Sequence, residues 1–518
     1  MPPDLTLAQT ICDNAIRFPG EPAYVAGDAV LTHGGLRTDA ATIATALAAR
    51  GIRRQDRIAL LDRNTLDFTR VLAAGNLSGI VVATVNFRLA PPEIVTIIGD
   101  AAPRVLFFGA EYDDLIATIR DELTSVELFV RMGSSDRSPS AGVENLDAFL
   151  AEPTDAPPFE ARGDDIACLI YTSGTTGKPK GCILGQHEMA GLALTMNGEM
   201  RSGSTDRILL CMPLFHVGAM AMALGIHARG GTAVLHEAFD PARILATVAD
   251  EQITVLHLAP TMLADVVGAA RNTGTTLKSV RTVVYSAAPI TSSGLADALA
   301  TMPNVNFMNL YGQTEVITSG LPPELHRSAG TETDARRLRS VGYPFPGTRV
   351  RIVTDDGDDA EPGRPGEIAV RCEAMFRGYW NDGVRTAEVL RDGWCHTGDI
   401  GLIDEGLLFL VDRKKDVVIS GGENVYSLEV EDALTGHPEI DRCAVIGTPD
   451  ARWGEAVTAV IVRAPDSQID ADEIRDFVRT RLAGYKSPRK VFFVSELPTL
   501  SNGKIDKKAL RAAYSDID

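Results

Sequence analysis

A loop rich in glycine and hydroxyl side chains is the clearest chemical feature of the sequence. Residues 171–181 read Tyr-Thr-Ser-Gly-Thr-Thr-Gly-Lys-Pro-Lys-Gly and follow an apolar run, 165–170, that is typical of a buried strand. Glycines allow positive φ angles and let several backbone N–H groups approach one anion. Hydroxyls add donors, and lysines add positive charge. This composition predicts a loop that binds phosphates.

The spacing within the loop differs from that of the common nucleotide P-loop. That motif has Gly, four residues, and then Gly-Lys-Ser/Thr. Here Thr172 stands at the first glycine position, and Pro179 follows Lys178 where a metal-binding hydroxyl would be needed. An ATPase or kinase of the Walker type is therefore disfavoured.

Alternating strand and helix patterns surround this loop and must position it. Strand 57–61 precedes helix 67–77 and strand 80–85, and the alternation resumes after the loop. Such alternation predicts βαβ units and a parallel sheet covered by helices. Strands 283–285 and 306–310 end in small or polar residues, at the edge where parallel sheets bind ligands.

The pattern changes from about Arg349. Strands 350–353 and 367–370 flank an acidic, Gly/Pro-rich turn, which is typical of antiparallel pairing. The predicted class is α/β: a large domain of doubly wound mixed sheets, 1–411, with a β-rich subdomain at about 345–411. A small α+β domain, 412–518, follows it.

Bulk composition limits the classes of partner. The chain has 518 residues, a net charge of -19 and 45% apolar residues. The length predicts more than one core, and the charge disfavours nucleic acid as a partner. No stretch approaches the roughly 20 apolar residues of a membrane span, and the N-terminus lacks a signal-peptide pattern. Seven cysteines without Cys-x-x-Cys spacing predict free thiols in a reducing cytoplasm.

Six further stretches follow the loop in order. They include Asn-Leu-Tyr-Gly-Gln-Thr-Glu at 309–315, Thr-Gly-Asp at 397–399 and Asp-Arg-Lys-Lys-Asp at 412–416 with Gly-Gly-Glu at 421–423. The others lie at 213–218, 286–289 and 497–505. Together with the loop they resemble the adenylate-forming superfamily, and in particular bacterial fatty-acid and crotonobetaine/carnitine–CoA ligases. The resemblance covers nearly the whole chain.

The resemblance implies an AMP-forming acid–CoA ligase. A carboxylic acid would attack ATP to give acyl-AMP and pyrophosphate, and coenzyme A would then give acyl-CoA and AMP. ATP, Mg²⁺ and coenzyme A are the implied cofactors. The implied ATP-binding residues are Thr172, Ser173, Gly174, Thr175, Thr176, Gly177, Lys178, Lys180, Ala287, Ala288, Asn309, Tyr311, Gly312, Gln313, Thr314, Asp399 and Arg413.

Individual roles in ATP binding also follow from the resemblance. Glu315 would bind Mg²⁺, a cation that prefers oxygen ligands. Thr314 would reach the α-phosphate, and Asp399 would accept hydrogen bonds from the ribose. Arg413 would donate to ribose or phosphate. Tyr311 would stack on adenine, whose amino group the Asn309 side chain would contact.

The same resemblance gives the small domain two roles. Lys504 would be the catalytic lysine beside the α-phosphate and the carboxylate. Rotation at a hinge, Lys415, would replace it with the CoA-binding turn formed by Gly421, Gly422 and Glu423.

The acyl pocket would be bordered by His216, Val217, Gly218 and Met220. His216, the second implied catalytic residue, would gate the path of the thiol rather than act as a base. The apolar stretch 212–224 contains no arginine, which favours a medium-chain fatty or aryl acid over a dicarboxylate.

Three alternatives stay open. The chain could be a fatty-acyl or amino-acid adenylating enzyme that loads a carrier protein, although Phe215-His216-Val217 lacks the aspartate that pairs with an amino-acid ammonium group. It could also be a non-catalytic ATP-binding protein, which the joint presence of the implied site residues disfavours. Monomer and homodimer are both compatible with the sequence.

Overall fold

The computed structural model describes residues 5–151, 160–172, 178–288, 290–326, 330–500 and 504–515, and it confirms the predicted α/β class. Within these ranges the strands form four sheets. In the same ranges, no helix is both long enough and apolar enough to cross a bilayer.

The first third of the chain alternates strands and helices, as its apolar pattern predicts. Its strands are β1 (Pro22–Ala26), β2 (Ala29–Thr32), β3 (Arg57–Leu61), β4 (Val81–Thr84), β5 (Val105–Gly109), β6 (Leu128–Met132), β7 (Val143–Asn145), β8 (Ile166–Thr172) and β9 (Lys180–Gly185). Its helices are α1 (Leu7–Arg17), α2 (His33–Ala49), α3 (Leu66–Ser78), α4 (Pro91–Ala101), α5 (Asp113–Ile119), α6 (Leu146–Ala151) and α7 (Gln186–Met200).

The alternation continues to the start of the β-rich region. The strands are β10 (Arg207–Leu210), β11 (Thr232–Leu235), β12 (Val255–Leu258), β13 (Thr282–Ser286), β14 (Asn306–Gly312), β15 (Ile317–Gly320) and β16 (Tyr343–Pro344). The helices are α8 (Val217–His227), α9 (Pro241–Asp250), α10 (Pro260–Thr273), α11 (Ser292–Thr301) and α12 (Glu332–Leu338).

Two stacked sheets build the large domain. One has seven strands in the order β7-β6-β5-β3-β4-β8-β9, and the other has nine in the order β16-β15-β14-β13-β12-β10-β11-β1-β2. One hydrophobic cluster includes residues from both sheets and from α2, α3, α7 and α8, so it forms the core between them. A second cluster lies on the other face of the nine-stranded sheet under α9, α10 and α11.

The β-rich region is a five-stranded antiparallel sheet. It contains β17 (Arg349–Val353), β18 (Gly366–Arg371), β19 (Leu390–Arg391), β20 (Trp394–Asp404) and β21 (Leu407–Arg413), with α13 (Gly383–Val389) before β19. Because β21 continues to Arg413, the predicted change of domain at 411/412 falls inside this strand.

The C-terminal domain has a separate five-stranded sheet. Its strands are β22 (Val418–Ser420), β23 (Glu423–Val425), β24 (Ile440–Asp450), β25 (Gly454–Arg463) and β26 (Lys490–Val494). The helices α14 (Ser427–Thr435) and α15 (Ala471–Arg479) cover one face of this sheet, and α16 (Lys507–Tyr514) covers the other.

Candidate active site

The predicted phosphate loop closes an antiparallel hairpin. Thr172 at the end of β8 pairs with Lys180 at the start of β9, and Lys178 between them is exposed. The chain therefore reaches α7 through a further strand, β9, which was not predicted from the sequence. The five loop residues Ser173, Gly174, Thr175, Thr176 and Gly177 lie outside the described ranges.

Asp399 is the centre of a buried polar cluster at the carboxyl end of β14. Its Oδ2 accepts hydrogen bonds of 2.7 Å from the Tyr311 hydroxyl and from Nε2 of Gln313, and Nε of Arg413 lies 3.3 Å from its Oδ1. Burial, followed by the charge of Asp399, raises the pKa of Tyr311 well above its ordinary value, so the phenol remains a donor. Four predicted nucleotide-binding residues are thus in one cluster.

The next pair of predicted residues, Lys504 and His216, comes from two domains. The carbonyl of Lys504 accepts a 2.7 Å hydrogen bond from the Leu500 N–H. Burial lowers the pKa of Lys504 to about 8, and the positive charge of nearby Arg413 acts in the same direction. Burial likewise lowers the pKa of His216 to about 4, with the charge of Lys504 as the second cause. Lys504 therefore lies within electrostatic range of both Arg413 and His216.

The predicted metal ligand, Glu315, lies in the hairpin turn between β14 and β15. Tyr379 donates a 2.6 Å hydrogen bond to its Oε1, and Nζ of Lys180 lies 4.9 Å from the centre of the Tyr379 ring. The site offers a carboxylate oxygen held by a neutral donor, which suits a hard cation such as Mg²⁺. Tyr379 was missed because the loop that carries it has no motif linking it to a residue 64 positions earlier.

The predicted adenine-contacting residues follow β13 and lie on β14. Ala287 has a φ of 75°, an uncommon left-handed conformation for a non-glycine residue, and both it and Ala288 are exposed. The Asn309 side chain hydrogen-bonds to the phenol of Tyr285, which itself bonds to His326 at 3.0 Å. In the described part of the chain Oδ1 of Asn309 has no hydrogen-bond partner, so it can accept from an amino group.

The remaining predicted nucleotide residues and the hinge lie in turns beside these clusters. Thr314 is buried in the β14–β15 turn, and Gly312 ends β14. Lys415 lies in a turn closed by a 2.8 Å bond from the Asp416 N–H to the Arg413 carbonyl. Burial lowers the pKa of Lys415.

The start of α8 forms the predicted border of the acyl pocket. Val217 and Met220 are buried in the core between the sheets, and His216 is the N-cap residue. A Cβ placed on Gly218 would lie 3.7 Å from Cε1 of His257, so this histidine also belongs to the wall. A histidine inside the otherwise apolar strand 255–258 was the signal that could have identified it.

The predicted CoA-binding turn lies at the β22–β23 hairpin of the C-terminal domain. Gly421 and Gly422 have φ angles of 64° and 85°, and Glu423 is exposed at the start of β23. The Gly421 N–H donates a 2.8 Å hydrogen bond to the Trp453 carbonyl. The turn therefore contacts its own domain, whereas Lys504 reaches the large domain.

The chain is similar to several known proteins. A feruloyl-CoA synthase from Amycolatopsis sp is 37% identical over 498 residues, covering 96% of both chains. The fatty acid–[acyl-carrier-protein] ligase ScoC of Streptomyces coeruleorubidus is 33% identical, covering 98% of this chain and 96% of that protein. The solved structure of the amide bond synthetase McbA from Marinactinospora thermotolerans has a TM-score of 0.87 at 32% identity, covering 98% and 99% of the two chains.

Two family models also match the chain. The family described as AMP-binding enzyme matches residues 12–380, and the AMP-binding enzyme C-terminal domain matches residues 429–504. The first match covers more than half of the chain, and it confirms the resemblance to adenylate-forming enzymes. The chain belongs to the family of AMP-binding enzymes.

Proposed function

We propose that this protein is an ATP-dependent acid–CoA ligase. The observation that carries the proposal is the meeting of Lys504 from the C-terminal domain with Arg413, Asp399 and His216. Two cations and a ribose-binding carboxylate beside a predicted acyl pocket suit the formation of an acyl adenylate. The similarity to a feruloyl-CoA synthase supports coenzyme A as the acceptor.

In the first half-reaction, a carboxylate oxygen attacks the α-phosphorus of ATP and pyrophosphate leaves. Charge builds on the phosphoryl oxygens, and preorganised cations stabilise it most effectively where water is excluded. We propose that the ammonium group of Lys504 does this. Asp399 binds the ribose hydroxyls, and its bonds from Tyr311 and Gln313 fix the orientation of its carboxylate.

Glu315 is the residue we propose to hold Mg²⁺. When bound, this ion would neutralise part of the charge of the phosphates. The hydrogen bond from Tyr379 orients the carboxylate, and Lys180 adds a positive charge over the Tyr379 ring. Lys178 and the hydroxyl-rich loop complete the predicted phosphate site.

In the second half-reaction, the thiol of coenzyme A attacks the acyl carbon and AMP leaves. We propose that rotation about Lys415 withdraws Lys504 and brings the turn of Gly421, Gly422 and Glu423 to the strand ends. The open space around Gly422, where an added Cβ would meet nothing within 4 Å, suits the narrow pantetheine arm.

The acid itself is proposed to be apolar, either aryl or medium-chain aliphatic. Val217 and Met220 are buried beside His216, and they would contact such a body without polar groups. We also propose a cytoplasmic location, which the seven free cysteines support. A homodimer is proposed as the oligomeric state.

A carrier-protein ligase is the second candidate, because ScoC is 33% identical over nearly the whole chain. One experiment separates the two. A panel of carboxylic acids is incubated with ATP and Mg²⁺, with and without coenzyme A, and AMP release and thioester mass are recorded. We expect thioester from one class of acid. Acyl-AMP that is retained when coenzyme A is added would contradict the CoA-ligase proposal.

The Lys504→Ala variant is the matched control for this assay. We expect it to lose adenylation by roughly a hundredfold or more, the scale of removing one transition-state donor, while ATP binding measured by calorimetry persists. Adenylation at the wild-type rate would show that Lys504 has no catalytic role.

A further inference from the structure

A buried histidine beside the predicted acyl pocket has no role in the proposed reaction. His257 lies on β12, a central strand between β10 and β13, and it is fully buried. Its neighbours Leu256 and Leu258 belong to the core under α9 and α10. Because side chains alternate along a strand, His257 faces the opposite side, toward α8. A Cβ placed on Gly218 of α8 would lie 3.7 Å from Cε1 of His257, which agrees with this direction.

One of the two ring nitrogens of His257 is paired. Nε2 lies 2.8 Å from Oγ of Ser286, the last residue of β13, which is followed by the predicted adenine segment. The other nitrogen, Nδ1, has no hydrogen-bond partner among the described residues. Burial lowers the pKa of His257 to about 4, with the charge of His216 as the second cause, so the ring is neutral at physiological pH.

A neutral imidazole carries one N–H donor and one bare nitrogen. If Ser286 donates to Nε2, then Nδ1 carries the proton and needs an acceptor. If Nε2 donates to Ser286, then Nδ1 is bare and needs a donor. A buried polar atom left unpaired is unfavourable in either case. A hydroxyl group both donates and accepts, so it satisfies both tautomers.

We infer that His257, held by Ser286, hydrogen-bonds to a hydroxyl group on the body of the acid, so that hydroxylated carboxylic acids are the preferred substrates. This inference rests on the proposed function and names the substrate class of the same pocket. The apolar residues of α8 contact the rest of the acid, and the His257 ring supplies one polar contact within that apolar wall. Such a pocket rejects the analogue that lacks the hydroxyl group, because the ring then stays unpaired.

A second histidine supplies the matched control. His236 follows β11 of the same sheet, and its Nε2 lies 3.0 Å from Oγ1 of Thr247 on α9. Its Nδ1 also has no partner among the described residues, and burial lowers its pKa to about 4. Its bond to α9, on the far face of the sheet from α8, distinguishes it from His257. We therefore expect that substitution of His236 has no effect on the choice of acid.

The test uses pairs of acids that differ by one hydroxyl group. The probes are 3-phenylpropenoic acid with its 2-, 3- and 4-hydroxy derivatives, and decanoic acid with 10-hydroxydecanoic acid. The readout is the ratio of kcat/KM values, hydroxylated acid over parent, measured by pyrophosphate release without coenzyme A. For the wild-type protein we expect one hydroxylated acid to be preferred by roughly ten- to a hundredfold.

The variants then assign this preference to one side chain. We expect His257→Leu to reduce the ratio to within about threefold of unity, Ser286→Ala to reduce it partly, and His257→Asn to keep part of it. His236→Leu should retain the wild-type ratio. Equal use of parent and hydroxylated acids by the wild-type protein, or an unchanged ratio in His257→Leu, would overturn the inference.

This design distinguishes a failure of the CoA-ligase proposal from a failure of the inferred preference for hydroxylated acids. Absence of thioester after coenzyme A is added would contradict the CoA-ligase proposal, but the preference in pyrophosphate release would still be measurable. If His257→Leu does not fold, as judged by circular dichroism, the wild-type ratios and the Ser286→Ala ratio decide the question.

Discussion

Lys504 shows how one side chain acquires a useful pKa from its surroundings. Desolvation disfavours its charged form, and the neighbouring Arg413 acts in the same direction, whereas Asp399 opposes them. The resulting pKa of about 8 keeps the ammonium group mostly charged near neutral pH. The charged form is the one that stabilises phosphoryl oxygens, so activity should depend on pH with a definite sign.

We expect kcat/KM for ATP in the adenylation step to be flat near neutral pH and to fall as the pH rises through about 8. The acid form of Lys504 is the cation, and it is lost as the pH passes the pKa. Neutral His216, with a pKa of about 4, does not titrate in this range. The measurement is pyrophosphate release across pH values.

The Lys504→Arg variant is the control for this profile. A guanidinium remains charged throughout the range, so the residual activity of this variant should lack the alkaline decline. The same decline in both proteins would show that another group titrates.

Tyr379 is a residue that acts through its neighbour. Its hydroxyl donates to Glu315, and burial, followed by the charge of Glu315, raises the pKa of the phenol above its ordinary value. We expect Tyr379→Phe to raise the Mg²⁺ concentration needed for half-maximal pyrophosphate release by roughly tenfold, as is usual for partners of metal ligands.

Calorimetric titration of Mg²⁺ in the presence of ATP gives a second readout for Tyr379→Phe that does not depend on turnover. Tyr343→Phe, at a side chain that is 40% exposed on β16, is the matched control and should leave the Mg²⁺ dependence unchanged. An unaltered Mg²⁺ requirement in Tyr379→Phe would show that Tyr379 does not position Glu315.

At the scale of elements, the β22–β23 hairpin depends on a glycine for two reasons. Gly421 has a φ of 64°, where an L-residue is strained, and an added Cβ would lie 2.8 Å from Cε3 of Trp453. We expect Gly421→Ala to slow thioester formation from preformed acyl-AMP by roughly tenfold, the order expected when a substrate contact is displaced. The first turnover of pyrophosphate release should remain within about threefold, because in the proposed mechanism Lys504 and not the hairpin serves that step.

Gly268→Ala is the control for the hairpin, because an added Cβ at that position on α10 meets nothing within 4 Å. Single-turnover assays of the two half-reactions make the comparison. An equal loss in both half-reactions would indicate general destabilisation and would contradict a separate role for the hairpin.

A second element, the start of α14, is tied to its neighbours by a serine. Both the N–H and the hydroxyl of Ser427 donate to the carboxylate of Asp412. Lys507 in turn donates to the Ser427 hydroxyl at 2.7 Å. Proline has no N–H and could not make the first bond, so serine here connects β21, α14 and α16.

At the scale of the whole molecule, the C-terminal domain has its own core. Its hydrophobic clusters are separate from the core between the two large sheets. A unit with its own core can move without losing its internal packing. The turn around Lys415 lies immediately after β21, and it is the hinge that we propose.

Hydrogen exchange should detect this movement. With a non-hydrolysable acyl-adenylate bound, we expect addition of coenzyme A to increase amide exchange in residues 497–507 and to decrease it in residues 418–425. Exchange in the central strand 255–258 should stay constant. Identical exchange with and without coenzyme A, while thioester forms in a parallel assay, would contradict domain rotation.

The sequence by itself determined the fold class, the order of the motifs and the family. The period of the apolar residues and the composition of turns are local properties of the chain. The bounds of strand 57–61 and of the helix after it could therefore be predicted within a residue. The β9 strand was not predicted, because a short apolar run does not distinguish a strand from the start of a helix.

Only the tertiary structure decided which side chains meet. Tyr311 and Asp399 are 88 positions apart, and His257 and Ser286 are 29 apart on neighbouring strands. Such pairs depend on sheet order and register, which are set by the packing of distant segments on both faces of the sheet. For the same reason the pKa of Lys504 and the unpaired nitrogen of His257 could not be predicted from the residue types, because both depend on burial beside groups remote in the chain.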